Sequence, residues 1–180
     1  MFKIFFSLMV YEPAEDSFLL LKQIKNYAKG LVLDVGTGSG ILAEEAAKYA
    51  DIVVAVDVNP EAVAYCTKKY KHIEFRQSDL FSNVPEKFNL IIFNPPYLPT
   101  EKKAPDIVLD GGPKGYEIIE RFLKFAKNHL KKGGVILLLF SSFSKKEKIN
   151  KILSSEGYIY KEIAKQHIHF EDLYVYRVTI

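Results

Sequence analysis

The sequence contains a single cysteine, Cys66, among 180 residues, and this scarcity excludes a disulfide within the chain. A lone thiol is typical of proteins from reducing compartments. Long hydrophobic runs are lacking too, since the apolar stretch 2–10 is short, has no small-residue cleavage site and leads directly into acidic residues. We therefore expect neither a signal peptide nor a membrane span, and we expect a cytoplasmic protein.

A large charge of either sign is also absent. The net charge is +3 and 26% of the residues are charged, so charge alone indicates no polyanionic partner. No internal repeat, low-complexity segment or linker interrupts the chain. With 48% hydrophobic residues, a chain of this length can bury a substantial core. We predict one domain over residues 1–180, in which residues 1–12 form an N-terminal tail.

Short apolar segments typical of strands alternate with segments of helical periodicity. The last two strands, 158–165 and 174–180, have no room for a helix between them and must pair as an antiparallel hairpin. The pattern predicts an α/β fold of five βα units and this hairpin, which is a seven-stranded, mostly parallel sheet with helices on both faces. The earlier strands are predicted at 31–35, 52–56, 73–77, 88–93 and 135–140, and two long helices at 116–131 and 144–156.

A glycine-rich turn follows the first predicted strand, within residues 34–40. Glycines allow a ligand to press against the main chain, and N–H groups at a helix start favour an anionic group. The next strand ends at Asp57, where an acid can hold a ribose hydroxyl. The spacing G-x-G-x-G is one residue shorter than the nicotinamide fingerprint, which disfavours a dehydrogenase. The candidate ligand-binding residues of the turn are Asp34, Gly36, Thr37, Gly38 and Gly40.

A stiff polar turn, Asn94-Pro95-Pro96-Tyr97, follows the fourth predicted strand. The prolines fix φ and lack N–H groups, while their carbonyl groups remain acceptors. The turn therefore offers the Asn94 side-chain carbonyl and the Pro95 main-chain carbonyl to a planar NH2 group, with the ring of Tyr97 beside it. We interpret this turn as a site for a substrate nitrogen. The irregular segment Leu98–Pro113 follows it, and loops of that length in a compact domain are usually functional.

Two more positions are candidates for ligand contacts. Ser78, Asp79 and Leu80 end the third strand at the same carboxyl edge of the sheet, and Asp79 can accept from an exocyclic amine such as adenine N6. Ser17, early in the first helix, can present its hydroxyl and nearby N–H groups to a carboxylate. Each position also has an ordinary interpretation. The Ser78–Leu80 segment can be a polar loop cap, and Ser17 can be an ordinary serine at a helix N-terminus. Glu15 is interpreted as a solvated acid at the helix start.

Three further features are better explained without a site. His167 and His169 alternate on a terminal strand and share a face near Glu171, but no third ligand at suitable spacing appears, so we prefer an exposed strand face to a metal site. Cys66 is interpreted as a small core residue. A lysine-rich segment is interpreted as a solvated helix face, with a nucleic-acid or partner patch as the alternative; it contains Lys145, Lys146, Lys148 and Lys151.

Together these segments resemble class I S-adenosylmethionine-dependent methyltransferases, and more narrowly the HemK/PrmC family of glutamine N5-methyltransferases. The opening Y-E-P-A-E-D-S segment is similar to the short archaeal and eukaryotic branch, which methylates the glutamine of the Gly-Gly-Gln motif in class I release factors. The bacterial branch carries an extra N-terminal helical domain, for which we expect no counterpart. The matching segments are 11–17, 34–40, 57–60, 78–80, 94–97 and 110–112.

The resemblance implies S-adenosylmethionine as cofactor and S-adenosylhomocysteine as product. It places Ser17 and Gly36 near the methionine end of the cofactor, Asp57 at the ribose hydroxyls, and Asp79 and Leu80 at the adenine. The Asp34 side chain is expected to shape the glycine turn from beneath. The cofactor-binding residues implied in this way are Ser17, Asp34, Gly36, Thr37, Gly38, Gly40, Asp57, Asp79, Leu80 and Asn94.

The resemblance also implies a catalytic turn and a partner. Asn94 and the Pro95 carbonyl are expected to hold the glutamine NH2 group, with Pro96 stiffening the turn and Tyr97 packing on the amide. The archaeal and eukaryotic relatives are typically activated by a small zinc-binding subunit that pairs with an edge strand. In the doubly wound methyltransferase order the third strand, Ile73–Gln77, is an edge, so β-augmentation is expected there.

Two other functions remain open from the sequence. The first is methylation of adenine N6 or guanine N2 in RNA or DNA, because the same polar turn can receive an exocyclic amine flipped out of its stack. The second is a module that keeps the fold and binds the cofactor without transferring a methyl group. No metal site is predicted within the chain, and no membrane is expected as a partner.

Overall fold

The structure is a computed structural model that describes residues 13–97 and 113–180. The predicted N-terminal tail lies outside the described residues, and so does segment 98–112. Tyr11 and Glu12 of the opening motif and the 110–112 segment of the resemblance are therefore not described.

The described strands form one seven-stranded sheet with the order β3-β2-β1-β4-β5-β7-β6. Neighbouring strands from β3 through β5 are parallel, whereas β7 runs antiparallel to both β5 and β6. The predicted mixed sheet with a terminal hairpin is confirmed, and so is the edge position of the third strand. The strands are β1 (Leu31–Val35), β2 (Ile52–Asp57), β3 (Glu74–Gln77), β4 (Phe88–Phe93), β5 (Leu130–Ser141), β6 (Ile159–Ile168) and β7 (Glu171–Thr179).

Helices cover both faces of the sheet, as predicted. Leu20 and Ile24 of the first helix and Ala43 of the second pack on one face, and Phe122 and Leu153 of the last two helices pack on the other. Within the described ranges, none of the helices combines the length and apolarity needed to cross a membrane. The helices are α1 (Glu15–Ile24), α2 (Ile41–Ala47), α3 (Pro60–Lys69), α4 (Glu117–Ala126) and α5 (Lys146–Ser155).

The predicted helix over 116–131 is too long. Helix α4 ends at Ala126, a short 3-10 turn follows, and β5 already begins at Leu130 rather than at residue 135. The pairing of β4 with β5 shifts between Phe88 and Leu90, so the lysines and glycines of 131–134 form a bulge in a strand instead of a helix end. Gly134 is needed there because an added Cβ would lie 3.0 Å from the Phe88 carbonyl oxygen.

The prediction of five βα units is also wrong, because β3 leads to β4 through a hydrogen-bonded turn. The Ser78 hydroxyl donates to the Leu80 carbonyl oxygen at 2.9 Å and accepts from the Asn83 N–H at 2.9 Å. The Ser82 N–H donates to the Asp79 carbonyl oxygen at 3.1 Å. Serine and asparagine side chains thus supply the local bonds that a helix would otherwise make.

The terminal hairpin is longer than predicted, and this changes the position of the histidines. Ile168 pairs with Glu171, so His169 lies in the connecting turn with a φ of 43°. His167 is on β6 and its Nδ1 lies 2.9 Å from Asp172 Oδ1. The expectation that His167 and His169 share a strand face is therefore wrong.

Candidate functional site

Four parallel strands bring their carboxyl ends to one edge of the sheet. Val35 of β1 pairs with Val56 of β2 and with Phe93 of β4, and Asp57 of β2 pairs with Gln77 of β3. The glycine turn, Asp57, the Ser78–Leu80 segment and the Asn94–Tyr97 turn therefore emerge side by side. Carboxyl ends of parallel strands are where open α/β sheets bind ligands.

Asn94 is oriented by a buried acid from the first helix. Its Nδ2 donates to Asp16 Oδ2 at 3.0 Å, and Asp16 is only 3% exposed. An ionised carboxylate can only accept, so the NH2 side of the Asn94 amide faces Asp16 and Oδ1 points away from it. Within residues 13–97 and 113–180, Asn94 Oδ1 is buried and has no hydrogen-bond partner. The site thus holds a buried carbonyl oxygen whose capacity to accept a hydrogen bond is not used by any described residue.

The sequence alone does not identify Asp16 as a functional residue, although its neighbours Glu15 and Ser17 are both considered there. Glu15 is exposed, as expected, whereas Asp16 and Ser17 are buried. The Ser17 N–H and hydroxyl lie 2.5 and 3.3 Å from Asp16 Oδ1. Ser17 therefore directs its donors at its neighbour, and not at an external carboxylate as the sequence suggested. Helical spacing was the available signal, because Asp16 shares the buried face of α1 with Leu20.

Tyr97 lies in the same corner. Its side chain packs against the core beneath α1. Burial, together with the carboxylates of Asp16, Glu171 and Glu15 and a hydrogen bond with Asp16, raises the pKa of the Tyr97 phenol above its ordinary value. The phenol therefore stays neutral, and the ring is held beside the turn. Pro95 is buried and Pro96 is half-buried, so the turn is packed as well as stiff.

The glycine turn approaches the Asn94 turn closely. Gly36, Gly38 and Gly40 all have positive φ, of 68°, 51° and 80°. A Cβ added to Gly36 would lie 3.9 Å from the Asn94 carbonyl oxygen, so the two turns are neighbours. A Cβ on Gly40 would approach the Tyr70 ring to 2.7 Å, which requires glycine at this position.

The floor of the glycine turn is made by Cys66, from helix α3. The side chain is buried, as expected for a core residue, and its Sγ lies 3.3 Å from the Gly38 carbonyl oxygen. Burial raises the pKa of the Cys66 thiol to about 12, and the charges of Asp34 and Asp57 add to this effect. The thiol is therefore protonated and serves as packing beneath the turn.

Most of the donors in the glycine turn are already used by the protein. The N–H groups of Gly36 and Thr37 both donate to the Val56 carbonyl oxygen, at 2.8 and 3.0 Å, and that of Gly40 donates to the Thr37 carbonyl oxygen. The Gly38 N–H donates to Asp57 Oδ2 at 2.8 Å. The turn thus differs from the anion-binding turn that its glycines alone predict.

Two acids give the turn a negative character instead. Asp34 is buried, and its Oδ2 accepts from the Thr37 hydroxyl at 2.7 Å. Its Oδ1 is buried and has no close hydrogen-bond partner among the described residues, although the Ala43 N–H lies near enough to the carboxylate to lower its pKa. Burial raises the pKa of Asp34 to about 7 against the lowering effect of Thr37, and the charge of Asp57 raises it further. Burial also raises the pKa of Asp57, whose Oδ1 accepts from the Asn59 N–H at 2.9 Å. Such a pair favours a cationic ligand group.

Asp79 and Leu80 lie on the turn between β3 and β4. Leu80 has a positive φ of 50°, and its side chain packs against the core under α4. The Asp79 carboxylate forms an ion pair with Arg121 of α4, and both side chains are about half exposed. Arg121 was not among the residues predicted from the sequence.

A shallow groove adjoins the Asp16 and Tyr97 corner. It passes between the start of α1 and the turn of the terminal hairpin, where Phe170 is 92% exposed. Glu15 and Glu171, whose charges act on the Tyr97 phenol, are both part of its lining. The groove therefore has two carboxylates within electrostatic range of Tyr97. Its lining consists of Glu15, Phe143, Ile168, His169, Phe170 and Glu171.

Comparison with known proteins finds one matching family model and many relatives. Residues 12–168 match the methyltransferase small domain. A putative protein N5-glutamine methyltransferase of Methanocaldococcus jannaschii is 44% identical over 177 residues, which cover 92% of this chain and 89% of that protein. The human methyltransferase HEMK2 is 32% identical over 170 residues, covering 82% of this chain and 79% of HEMK2.

A solved structure is similar over nearly the whole chain. It is the E. cuniculi Mtq2–Trm112 complex, described as responsible for methylation of the translation termination factor eRF1. The TM-score is 0.79 at 26% identity, and the alignment covers 94% of this chain and 97% of that one.

Proposed function

Because this chain belongs to the methyltransferase small domain family, and within it to the HemK-type protein glutamine methyltransferases, we propose that it methylates the side-chain amide nitrogen of a protein glutamine. The observation that carries this proposal is that Asn94 Oδ1 accepts from none of the described residues, while the Asp16 carboxylate orients the amide beside the glycine turn. A carbonyl acceptor in that position suits an incoming NH2 group.

The proposed substrate is the Gly-Gly-Gln motif of a class I translation release factor. This specificity is supported by the E. cuniculi Mtq2–Trm112 complex, which is described as methylating eRF1 and is similar over almost the whole of this chain. The open groove between α1 and the hairpin turn is the proposed route of approach, because it reaches the carboxylates around Tyr97. A release factor as substrate also agrees with the expected cytoplasmic location, which stays a prediction.

The proposed cofactor is S-adenosylmethionine, and the residues at the sheet edge fit it. The buried carboxyl group of Asp34 and the neighbouring Asp57 make the surroundings of the glycine turn suitable for a cationic ligand. Asp57 would hold the ribose hydroxyls and Asp79 the adenine amine. Ser17, Gly36, Thr37, Gly38, Gly40 and Leu80 are proposed to line the remainder of the cofactor. S-adenosylmethionine supplies a methyl group on a positively charged sulfur, which is already a strong electrophile.

The task left to the protein is to position a poor nucleophile. An amide nitrogen delocalises its lone pair into the carbonyl group, so it must be held in a geometry that favours attack. We assign one N–H of the substrate to Asn94 Oδ1 and the other to the Pro95 carbonyl oxygen. Well-aligned positioning supplies roughly 7–11 kcal/mol of a barrier.

Asp16 is proposed to maintain that geometry. Its hydrogen bond to Asn94 Nδ2 prevents the amide from rotating to present NH2 instead of C=O to the substrate. Two donors of Ser17 hold the other carboxylate oxygen in place. Neutral Tyr97 would pack on the flat substrate amide and exclude water. No general base is required during transfer, since the methylated product can lose its proton to water afterwards.

The proposal includes a small partner subunit on the β3 edge. Strand β3 lies at the edge of the sheet, so one side of its main chain pairs with no other strand of residues 13–97 and 113–180. The exposed apolar side chains of Ile52, Val58 and Tyr65 lie on the neighbouring β2 and α3 segments. The E. cuniculi relative was solved as a complex with Trm112, which supports a partner of this kind. That the partner binds zinc is still a prediction from the family resemblance.

The test is transfer of an isotopically labelled methyl group from S-adenosylmethionine to a class I release factor, with and without a candidate partner subunit. Mass spectrometry of the digested factor is expected to find one methyl group on the Gly-Gly-Gln glutamine, and none when that glutamine is replaced by alanine. Label in RNA or DNA with none in the protein would contradict the proposal and support the nucleic-acid alternative. On the lysine-rich helix, Lys146 and Lys148 pair with Glu162 and Glu120, which weakens that alternative.

A further inference from the structure

The acid assigned to the adenine is held by a side chain from a different part of the chain. Arg121 on α4 donates through Nη2 to Asp79 Oδ1, across 42 positions of sequence. We propose that Arg121 is a positioning residue that makes the cofactor site select adenine. This inference rests on the proposed cofactor and on the assignment of Asp79 to the adenine amine.

The turn that carries Asp79 is fixed in its main chain but not in this side chain. The Asp79 N–H donates to Ser82 Oγ at 3.0 Å, and Ser78 bonds to Leu80 and Asn83 within the same turn. The carboxylate itself is about half exposed, and Arg121 is the partner that defines its direction. Without this partner, rotation about the side-chain bonds would spread the carboxylate over several positions.

Arg121 is well placed to define that direction because its helix is rigid. Its neighbours Phe122 and Leu123 are fully buried in the core. The ring of Phe122 stacks on Phe81 of the β3–β4 turn, with 5.3 Å between the ring centres. Helix α4 thus contacts the turn through an aromatic pair and an ion pair, and the two contacts together fix the position of Asp79 relative to the core.

The chemistry of the pair leaves one acceptor for a ligand. Arg121 uses Asp79 Oδ1, so Oδ2 can accept from an exocyclic amine. Hypoxanthine carries a carbonyl oxygen where adenine carries its amine, and that oxygen would face Asp79 Oδ2 without a proton between them. Arg121 thereby contributes to discrimination between adenine and hypoxanthine.

If Arg121 instead competed with the adenine for Asp79, its removal would change cofactor affinity in the opposite direction. If the ion pair had to break before the adenine entered, removal of Arg121 would tighten cofactor binding. If Arg121 only stabilised the fold, its removal would weaken the binding of all ligands by the same factor. The ratio of the dissociation constants of an adenine ligand and its hypoxanthine analogue therefore distinguishes a positioning role of Arg121 from both alternatives.

The experiment is calorimetric titration of the full chain with S-adenosylhomocysteine and with S-inosylhomocysteine, its hypoxanthine analogue. We expect the unmodified protein to prefer the adenine ligand by about tenfold or more, because a site built around a hydrogen bond rejects a ligand lacking the donor. Arg121→Ala is expected to raise the dissociation constant of the adenine ligand by about fivefold and to have little effect on that of the inosine ligand. Arg121→Lys should retain part of the preference.

Two further variants serve as controls. Lys124→Ala removes a positive charge from an exposed position of the same helix and is expected to leave both constants unchanged. In an Asp79→Asn background, Arg121→Ala is expected to add no further loss. Unchanged or tighter adenine binding in Arg121→Ala, an equal loss for both ligands, or no preference in the unmodified protein would overturn the inference. Failure of the unmodified protein to bind S-adenosylhomocysteine at all would instead overturn the proposed function.

Discussion

At the scale of single residues, the site contains polar atoms that the folded protein does not satisfy by itself. Asn94 Oδ1 and Asp34 Oδ1 are both buried without a close hydrogen-bond partner among the described residues. A buried acceptor that lacks a hydrogen bond costs roughly 1–3 kcal/mol of stability. Both lie at the sheet edge where we propose that the cofactor and the substrate bind.

The raised pKa of Asp34 predicts a pH-dependent cost to stability. Its pKa is about 7 in the folded protein against 3.8 in an unfolded chain. The stability that protonated Asp34 contributes is thus complete below pH 4 and is lost as the pH rises through 7. We expect Asp34→Asn, which cannot ionise, to gain stability relative to the unmodified protein as the pH rises from about 4 to about 7, on the order of 1 kcal/mol per pH unit, with no further gain above pH 7.

Urea unfolding of the ligand-free protein at a series of pH values measures this difference. Asp51→Asn is the matched control, because it makes the same substitution at an exposed position. A difference for Asp34→Asn that stays constant over this pH range would contradict the assignment of the titration to Asp34.

Asp57 gives a prediction for cofactor affinity. Its two oxygens accept from Gly38 and Asn59 in the ligand-free protein, and it is assigned to the ribose hydroxyls. Asp57→Asn replaces one acceptor by a donor of the same size. We expect the dissociation constant of S-adenosylhomocysteine, measured by calorimetry, to rise about tenfold or more, because each missing charged hydrogen bond costs roughly 1.5–3 kcal/mol. An unchanged constant would refute the ribose assignment.

Sequence reasoning identified the residues of local motifs but not their distant partners. Asn94 and Asp57 were predicted because each ends an apolar strand within a recognisable turn. Asp16 and Arg121 were missed because their partners lie 78 and 42 positions away. No local pattern distinguishes an acid or an arginine that will reach across the fold from one that remains solvated.

At the scale of elements, strand pairing overrode local propensity. The lysines and glycines at 131–134 suit the end of a helix, yet β5 begins before them and carries them as a bulge. The hairpin extends beyond its predicted ends because Gln166 pairs with Leu173 and Ile168 with Glu171. Element types were therefore predictable from periodicity, whereas bounds set by partners across the sheet were not.

The two edges of the sheet give a prediction for the partner subunit. Strands β3 and β6 are both edge strands, but only β3 is expected to receive a partner strand. We expect a bound partner to slow amide hydrogen exchange at Glu74–Gln77, because newly paired N–H groups no longer exchange freely. Hydrogen-exchange mass spectrometry measures this, with β6 (Ile159–Ile168) as the internal control. Slowed exchange at β6 but not at β3 would contradict the proposed docking edge.

At the scale of the whole molecule, the alternation of strands and helices predicts the sheet and its terminal hairpin, and the family resemblance adds the edge position of β3. The sheet order then explains why the site works as a unit. Parallel strands bring the ends of β1, β2, β3 and β4 together, and α1 places Asp16 against Asn94 from outside this set. The proposed site thus depends on the helix that precedes the first strand as well as on the strand ends.

We propose that the orientation of the Asn94 amide controls methyl transfer, and single-turnover transfer to a Gly-Gly-Gln release factor at saturating cofactor measures its effect. Asp16→Asn keeps the size of the side chain but can donate to Asn94 Oδ1, so it should remove the acceptor from the substrate. We expect the transfer rate to fall about 100-fold or more, as in Asn94→Ala, because the lost contact acts in the transition state. The dissociation constant of S-adenosylhomocysteine should change by less than about threefold. A normal transfer rate in Asp16→Asn, or a rate that falls only in parallel with cofactor affinity, would contradict the claim.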